Sequence, residues 1–394
     1  MIVLSVVWTY VNAADREAID TLSYILPPCV AAPIYQSPHI QERAAKSKGE
    51  ARNKKAAAWL KNAAAFADRY FLKNVDTAYL TLPKHRFRIA LSGDYGSVYS
   101  HLRCTNVPYY EDVTVDMGSN ITPKVGFVVS YRNMNFGYSW DLYRGYSNLK
   151  FSLLQNGFGI DLYRRKTMHA GGFIESSGTN KRLELTSSDV ASTTFFLSGY
   201  IALNRRRFSM PAAFNASFIQ KRSAGSVLIV ANFMYNSMEF QSEELIGKSG
   251  GLRELELYQV AVGAGYGHNF SVAKGKFLFH ISVTPMLAVF SRMLTTGNVH
   301  MFIADVNYPL VLTRKIAPIK PYVYVTGQAK AAFVYNINQR FVLCFNGIVN
   351  NMRFRSKDNF MAINGGSTVE YPEISLHLNT LDWNAVLVLG VRFL

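Results

Sequence analysis

The sequence predicts an all-β protein: a transmembrane, antiparallel, up-and-down β-barrel of about twelve strands, preceded by a short N-terminal helical segment. Three observations support this prediction. Hydrophobicity alternates with a period of two from about residue 83 to the end of the 394-residue chain. Aromatic residues reach 13% while charged residues stay at 17%, a low charge content for a soluble domain. Long and short connections also alternate between the predicted strands, as they do in outer-membrane barrels.

The N-terminal region divides into two parts ahead of the barrel. Residues 1–13 are apolar and end in Val-Asn-Ala, which fits a cleaved secretory signal peptide; a buried N-terminal strand is the alternative. Residues 14–82 are predicted to be periplasmic, irregular at first because of their prolines. An amphipathic helix follows, since Trp59, Ala63, Phe66 and Tyr70 fall at helical spacing. The barrel is predicted over residues 83–394.

Twelve segments of the barrel region alternate as strands do, and most reach the roughly 9–11 residues that a tilted strand needs to span a bilayer. No run of about 18 apolar residues appears that would predict a transmembrane helix. Residues 110–117 are β-prone as well and are a candidate extension of the second strand. The predicted strands are 85–102, 122–132, 134–143, 148–155, 157–168, 191–204, 223–238, 255–270, 276–290, 320–336, 339–353 and 382–394.

The connections between these strands fall into two classes, mostly long on one side and mostly short on the other. Such asymmetry is typical of a barrel with long external loops and short periplasmic turns. The predicted outer loops are 103–121, 144–147, 169–190, 239–254, 291–319 and 354–381. The predicted inner turns are Asn133, Asn156, 205–222, 271–275 and 337–338.

The two faces of the strands differ in side-chain type. Residues 124–143 place large apolar side chains on one face and Gly, Ser and Asn on the other. We predict that the large side chains face lipid and the small or polar ones face a lumen. The candidate lumen-lining residues have a positive balance, so an open passage would favour anions. They are Arg86, Arg88, Asp94, Asp141, Lys150, Asp161, His280, Lys330 and Arg392.

The inner connection 205–222 is too long for a turn and is both cationic and aromatic. It is predicted either to fold into the barrel as a partial plug or to dock on the N-terminal helix. The alternative is a basic rim held by anionic lipid headgroups. Its candidate residues are Arg205, Arg206, Arg207, Phe208, Phe214, Phe218, Lys221 and Arg222.

Three stretches carry a family resemblance: RRRFSMPAAFNASFIQKRSAGS at 205–226, DTAYL at 76–80 and the hairpin at 124–143. Together they resemble the domain of unknown function family 4421 of Gram-negative envelope proteins. The resemblance extends from about residue 76 to the C-terminus. It implies a secreted, barrel-like protein without an established activity, and it supplies no catalytic residues.

Several kinds of chemistry find no support in the sequence. The net charge of +16 is spread over strands and turns without a nucleic-acid-binding motif. GAGYGH at 263–268 ends a strand instead of opening a helix, so it is not a phosphate loop. Cys29, Cys104 and Cys344 are too few and too far apart for a disulfide framework or a metal cluster. No cofactor is predicted.

One weak hydrolase pattern remains as an alternative. His280 and Ser282 share a strand face, with Ser226 and Asn232 as candidate neighbours, and a serine beside a histidine can act as a nucleophile. This pair faces the predicted lumen, where lipid substrates would not reach it. The chain is therefore predicted not to be an enzyme, with an outer-membrane lipid hydrolase as the alternative.

The predicted location is the outer membrane of a Gram-negative bacterium, with the lipid bilayer as the partner and the N-terminal segment in the periplasm. The predicted function is a passive channel or transport component, or a structural envelope protein. A docking subunit is the alternative, in which the periplasmic helix and the 205–222 connection bind another envelope protein.

Overall fold

The computed structural model describes fourteen stretches of the chain: 75–105, 113–119, 123–142, 147–169, 171–176, 182–185, 190–241, 243, 252–303, 306–312, 324–358, 361–364, 367–370 and 374–393. The chain divides into two compact units, Met1–Tyr70 and Phe71–Leu394, and all described residues belong to the second. The predicted signal peptide and amphipathic helix therefore lie outside the described residues.

Twelve strands of the described chain form one closed antiparallel sheet, and each coincides with one of the twelve predicted strands. Every strand pairs with its neighbour in sequence, and the last pairs with the first from Phe87↔Phe393 to Thr105↔Ser375. The sheet therefore has the up-and-down order of a barrel. The strands are β1 (Phe87–Thr105), β2 (Lys124–Tyr131), β3 (Met134–Asp141), β4 (Ser147–Leu154), β5 (Phe158–His169), β6 (Val190–Ala202), β7 (Ala224–Phe240), β8 (Leu252–Val272), β9 (Phe277–Ile303), β10 (Tyr324–Asn336), β11 (Phe341–Asp358) and β12 (Ile374–Phe393).

The alternation of apolar and polar residues in the sequence corresponds to the outer and inner faces of this ring. On β9, Phe279 and Ile281 are 47% and 55% exposed, whereas His280 between them is 3% exposed. The same contrast follows β1, where Leu91 points out and Ser92 points in. Since successive side chains of a strand point to opposite faces, a period of two is sufficient to place apolar side chains outside and polar ones inside.

Glycines bring two of these strands unusually close together. Gly263 and Gly265 belong to the GAGYGH stretch and lie in β8. A Cβ atom at either position would come within 2.2 Å of a backbone oxygen of β9, that of Pro285 or of Val283. These glycines therefore permit the close approach of two strands.

The outer ends contain more strand than the sequence suggested. Val113–Gly118 extends the second strand, as predicted: it pairs with β1 on the same edge and in the same direction as β2, with a shift of one residue, and its other edge pairs with Gly171–Ser176. The strand Val306–Leu312 pairs with the outer part of β9, and β12 begins at Ile374. The predicted loops 291–319 and 354–381 are thus partly strand, because pairing satisfies backbone groups beyond the ring.

The inner ends are short turns except for one segment. Between β6 and β7 lies a single-turn helix, α1 (Met210–Phe214). Its N-cap residue Ser209 accepts a hydrogen bond from the backbone nitrogen of Ala212 at 3.2 Å, and Pro211 in its first turn suits a helix start. Leu80–Thr81 pairs with Ile219–Gln220 of the same segment. No helix in the described stretches has the length and apolar character to cross a membrane.

Candidate functional site

The inner segment, residues 205–222, fills the inner part of the barrel. Phe208, Ala212 and Ala213 are fully buried, and Phe218 is 2% exposed. One half of the segment packs against inward-facing residues of β1 and of β9 to β12, including Ala90, Leu278, Val334, Val342 and Val388. The other half packs against β4 and β6 to β9 through Leu154, Tyr200, Leu228, Ala261 and Met286. Contacts on both sides of the ring mean that the segment occupies its interior.

Polar side chains of the barrel hold the backbone of this segment. The amide groups of Asn269 and Asn346 donate to the carbonyl oxygens of Ser209 and Phe214 at 2.9 and 3.3 Å. Arg392 donates to the carbonyl oxygen of Ala216 at 3.0 Å. These bonds satisfy carbonyls that burial would otherwise leave without partners.

The cationic residues of the inner segment lie at the barrel's inner end and not inside it. Arg205, Arg206, Arg207 and Arg222 are exposed, and Lys221 is half-buried. Arg207 pairs with Asp76 at 3.3 Å and lies over the ring of Tyr79, 5.1 Å from its centre. The DTAYL stretch that precedes the barrel thus packs against the basic residues of the segment.

Above this apolar layer, a cavity of ≈ 180 Å³ lies at mid-height in the barrel. Around it, ion pairs join strands that are not neighbours in the ring. Lys150 of β4 pairs with Asp94 of β1 at 3.1 Å, and Lys330 of β10 pairs with Asp161 of β5 at 3.6 Å.

A third pair crosses the same level. Arg165 of β5 pairs with Asp382 of β12, and Tyr163 donates to the same carboxylate at 3.0 Å. Each bond joins strands that are not neighbours in the ring, so these side chains tie the walls together across the lumen.

The candidate lumen-lining residues are distributed over several levels of the barrel. Arg88, Lys150, Asp161 and Lys330 line the cavity. Asp94 is buried beside it, and Asp141 is buried opposite Lys124 on the paired strand. His280 and Arg392 are buried closer to the inner segment, while Arg86 precedes β1 and is half-buried at the inner end.

Sequence reasoning missed four participants of the ion-pair layer: Lys124, Tyr163, Arg165 and Asp382. Lys124 donates to Asn148 at 2.8 Å, and the other three form the contacts described above. Each lies an even number of residues along its strand from a residue already assigned to the interior, so its side chain points to the same face. The alternation of faces could therefore have identified these four residues, but it does not show which charges pair with each other.

A second apolar layer fills the outer part of the barrel, beyond the cavity and its ion pairs. Leu102 of β1 and Leu378 of β12 belong to one buried cluster with Met238 of β7 and Leu257 of β8 from the far side of the ring. Val115 and Met117 of the Val113–Gly118 strand join this cluster. Since residues from opposite walls pack together, the interior is filled here as well.

His280 lies in a buried hydrogen-bond relay. Its Nε2 is 3.0 Å from the Ser282 hydroxyl, and its Nδ1 is 2.7 Å from the side-chain oxygen of Asn269. The Asn269 amide nitrogen donates to Ser209 and to Gln220 at 2.9 and 2.8 Å, so its oxygen must face the histidine. This arrangement assigns the ring proton to Nδ1 and leaves Nε2 as the acceptor for Ser282.

The relay resembles a catalytic triad in its connections but is covered by the inner segment. The rings of Phe208 and Phe214 lie 6.0 and 5.2 Å from the His280 ring. Ser226 and Asn232, the candidate neighbours from the sequence, bond instead to Asn204 and to Met286. Nucleophilic catalysis needs room for a substrate at the serine, whereas Ser282 is buried and the histidine beside it is covered by aromatic side chains. The relay therefore anchors the inner segment in this structure.

No group of three His, Cys, Asp or Glu residues within the described ranges could hold a metal ion.

Cys344 offers a direct measurement of the closure at the inner level. It is 1% exposed and packs with Ala212, Ala213, Ala216 and Phe218 of the inner segment. We expect a variant with Cys29→Ser and Cys104→Ser to resist labelling by a water-soluble maleimide at Cys344. Replacing residues 206–221 by a short glycine-serine turn should make Cys344 reactive, since β6 and β7 are ring neighbours that a turn can join.

The control for this labelling is Arg340→Cys at the exposed inner end, which should react equally in both backgrounds. Labelling of Cys344 at that same rate in the intact protein would show that the segment does not close the barrel.

A closed antiparallel ring with an apolar outer surface and a polar, filled interior defines the chain as a β-barrel of the outer-membrane type. Within that class it belongs to the DUF4421 family, a domain of unknown function whose model matches residues 74–370. A comparison with curated protein sequences finds no match.

The chain is also similar to solved outer-membrane proteins at low identity. The outer membrane protease OmpT from Escherichia coli is 9% identical, with a TM-score of 0.35, over 79% of this chain and 97% of that one. OprG from Pseudomonas aeruginosa is 10% identical, with a TM-score of 0.28, over 79% and 99%. The translocator domain of the autotransporter NalP from Neisseria meningitidis is 9% identical, with a TM-score of 0.22, over 90% and 98%.

Proposed function

We propose that this protein is an outer-membrane β-barrel with a closed interior, acting as a structural component of the envelope and not as a diffusion channel. The observation that supports this most is the filling of the lumen at two levels. The inner segment occupies one level and an apolar cluster from opposite walls occupies another. Between them lies a cavity of ≈ 180 Å³.

The outer surface supports insertion in a bilayer. Large apolar side chains on the outward face of the ring are 37–67% exposed, among them Leu91, Phe127, Trp140, Ile281 and Leu389. A contiguous apolar surface of this extent is unfavourable in water and marks a membrane or protein interface. Because it encircles a ring without a free edge, lipid is the partner that fits it.

Tyr138 lies on this outward face near the middle of β3 and is 37% exposed. We expect Tyr138→Arg to lower the free energy of unfolding in lipid by about 2–4 kcal/mol, the cost of a cation near the bilayer midplane. Unfolding by urea in lipid vesicles measures it. Leu203→Arg, at the inner rim and 61% exposed, is the matched control and should cost about 0–1 kcal/mol. Equal costs at the two positions would contradict the proposed depth in the membrane.

Planar-bilayer recording tests the closed interior. We expect the purified, folded barrel to give no steady conductance after insertion. Heat-modifiable gel mobility of the reconstituted sample verifies that the barrel in it is folded. A stable ohmic current from the intact protein would overturn the proposal and restore the passive channel. The basic lumen would then predict a reversal potential favouring anions.

A docking subunit is the second candidate, favoured by the charge of the inner end. The exposed basic residues there are Lys84, Arg205, Arg206, Arg207, Arg222, Lys274, Lys276 and Arg340, and Asp76 is the only carboxylate in the described part of that end. If the inner end faces the periplasm, this surface suits an acidic envelope protein.

Photo-crosslinking in intact cells tests this candidate. A photoreactive residue at Arg206 should give one discrete crosslinked species that charge reversal of Arg205 and Arg207 removes. Arg253, exposed at the other end of the barrel, is the control position and should give none. Equal crosslinking from both positions would contradict docking at the inner end.

A further inference from the structure

Four arginines surround one small cavity at the inner end of the barrel. The cavity has a volume of ≈ 20 Å³ and is lined by Arg86, Arg88, Arg132 and Arg392 together with His85 and Ser217, among others. None of the described residues that line it carries a carboxylate. It lies between the start of β1, the turn from β2 to β3, the end of β12 and the inner segment, and it shares Arg88 with the mid-barrel cavity.

Arg88 and Arg392 are direct partners across the β1–β12 pairing. Their side chains are 5% and 2% exposed. Side chains directly opposite on antiparallel strands lie close together, and like charges at such positions repel. Burial adds to the cost because each guanidinium loses water. Two buried cations in this position require compensation.

The described protein groups supply only neutral partners to this pair. Arg88 donates to the Ser130 hydroxyl at 3.3 and 3.0 Å. Arg392 donates to the carbonyl oxygen of Ala216 and to the side-chain oxygen of Asn336, at 3.0 and 2.9 Å. No salt bridge between described residues includes either arginine. Asp94, the next carboxylate along β1, lies roughly 20 Å farther up the strand and pairs with Lys150.

Donor atoms remain available at the cavity. Among the described residues, one terminal guanidinium nitrogen of Arg392 and the hydroxyl of Ser217 are buried without a hydrogen-bond partner, while the Arg88 guanidinium also interacts with the buried thiol of Cys344. The backbone around the cavity is also unusual: Arg132 and Ala216 have φ values of 51° and 48°, which residues other than glycine adopt rarely. Buried cationic donors without partners, together with residues whose backbone φ is positive, are typical of a ligand site.

We propose that this cavity binds a phosphate group. Guanidinium forks donate paired hydrogen bonds to phosphate oxygens, and arginine is the residue that suits this geometry. A volume of ≈ 20 Å³ accommodates about one oxygen-sized atom, so one phosphate oxygen enters between Arg88 and Arg392. The rest of the group lies at the mouth beside the half-buried Arg86 and His85. Inorganic phosphate and the headgroup of a phospholipid share this chemistry.

Calorimetric titration of the detergent-purified barrel tests the proposal. One arm uses sodium phosphate and the other uses dihexanoyl phosphatidylglycerol, both in gluconate buffer at constant ionic strength. We expect Arg88→Gln and Arg392→Gln each to weaken binding about tenfold or more, the effect of losing one charge-assisted hydrogen bond. Arg340→Gln, an exposed arginine of the same end that does not line the cavity, should bind as the unaltered protein does.

The two arms distinguish the source of the phosphate. Arginine-dependent binding of sodium phosphate assigns the site to the free ion, and such binding of the short-chain lipid alone assigns it to a headgroup. A thermal melt without phosphate checks that each variant is folded, so that weaker binding is not mistaken for loss of the fold. Binding of neither titrant, equal binding by the variants, or binding of chloride alone would overturn the proposal.

Discussion

Asp382→Ala is expected to be among the most damaging single substitutions in this barrel. Asp382 is 3% exposed and accepts hydrogen bonds from Arg165 and Tyr163 across the lumen. Its loss leaves the Arg165 guanidinium, itself 6% exposed, buried without a counter-charge. Breaking a buried pair in this way costs about 3–5 kcal/mol, which the midpoint and slope of urea unfolding in lipid vesicles would measure.

A double variant distinguishes the effect of removing the whole ion pair from the effect of removing the Asp382 carboxylate alone. Arg165→Met with Asp382→Leu replaces the pair by apolar side chains of similar volume, and such replacements are often neutral or stabilising. We therefore expect the double variant to be more stable than Asp382→Ala alone. If Asp382→Ala costs less than about 1 kcal/mol, as an exposed pair would, water reaches this level and the interior is not closed.

Phe208→Ala is the second substitution with a large expected effect. The Phe208 side chain is fully buried in the inner segment, among side chains of β4, β6, β7 and β9. Truncating a buried phenylalanine removes apolar contacts and leaves a cavity, which together cost about 3–5 kcal/mol. The free energy of unfolding in lipid vesicles should fall by this amount, and labelling of Cys344 should rise because the segment is held less firmly.

Phe279→Ala is the matched control for this effect. Phe279 is adjacent to His280 on β9 but points outward and is 47% exposed. Lipid can fill the space left by its ring, so the cost should be clearly smaller and Cys344 should stay protected. Equal losses for Phe208 and Phe279 would mean that the inner segment does not contribute to stability as its burial indicates.

The sequence did not reveal how the inner segment divides. RRRFSMPAAFNASFIQKR suggested either a plug or a basic rim, and the structure separates the two along its length. Phe208 and Phe218 are inside, while Arg205 to Arg207 stay outside. Composition alone cannot make this division, because the outcome depends on whether strands far apart in sequence leave an apolar space of the right size. The Ser282–His280–Asn269 relay was missed in part for the same reason, since Asn269 belongs to another strand.

The sequence by itself determined the strands, their number and their two faces. These are local properties: a period of two places the side chains of Phe279 and His280 on opposite sides whatever else the chain does. Only the tertiary structure decided what the interior contains. Arg165 and Asp382 are 217 residues apart, and they meet because β1 and β12 pair and bring the walls of the ring within reach of each other. Closure of the ring is a single non-local event, so the ion pairs, the filled lumen and the arginine cavity follow from it and from no shorter stretch of the chain.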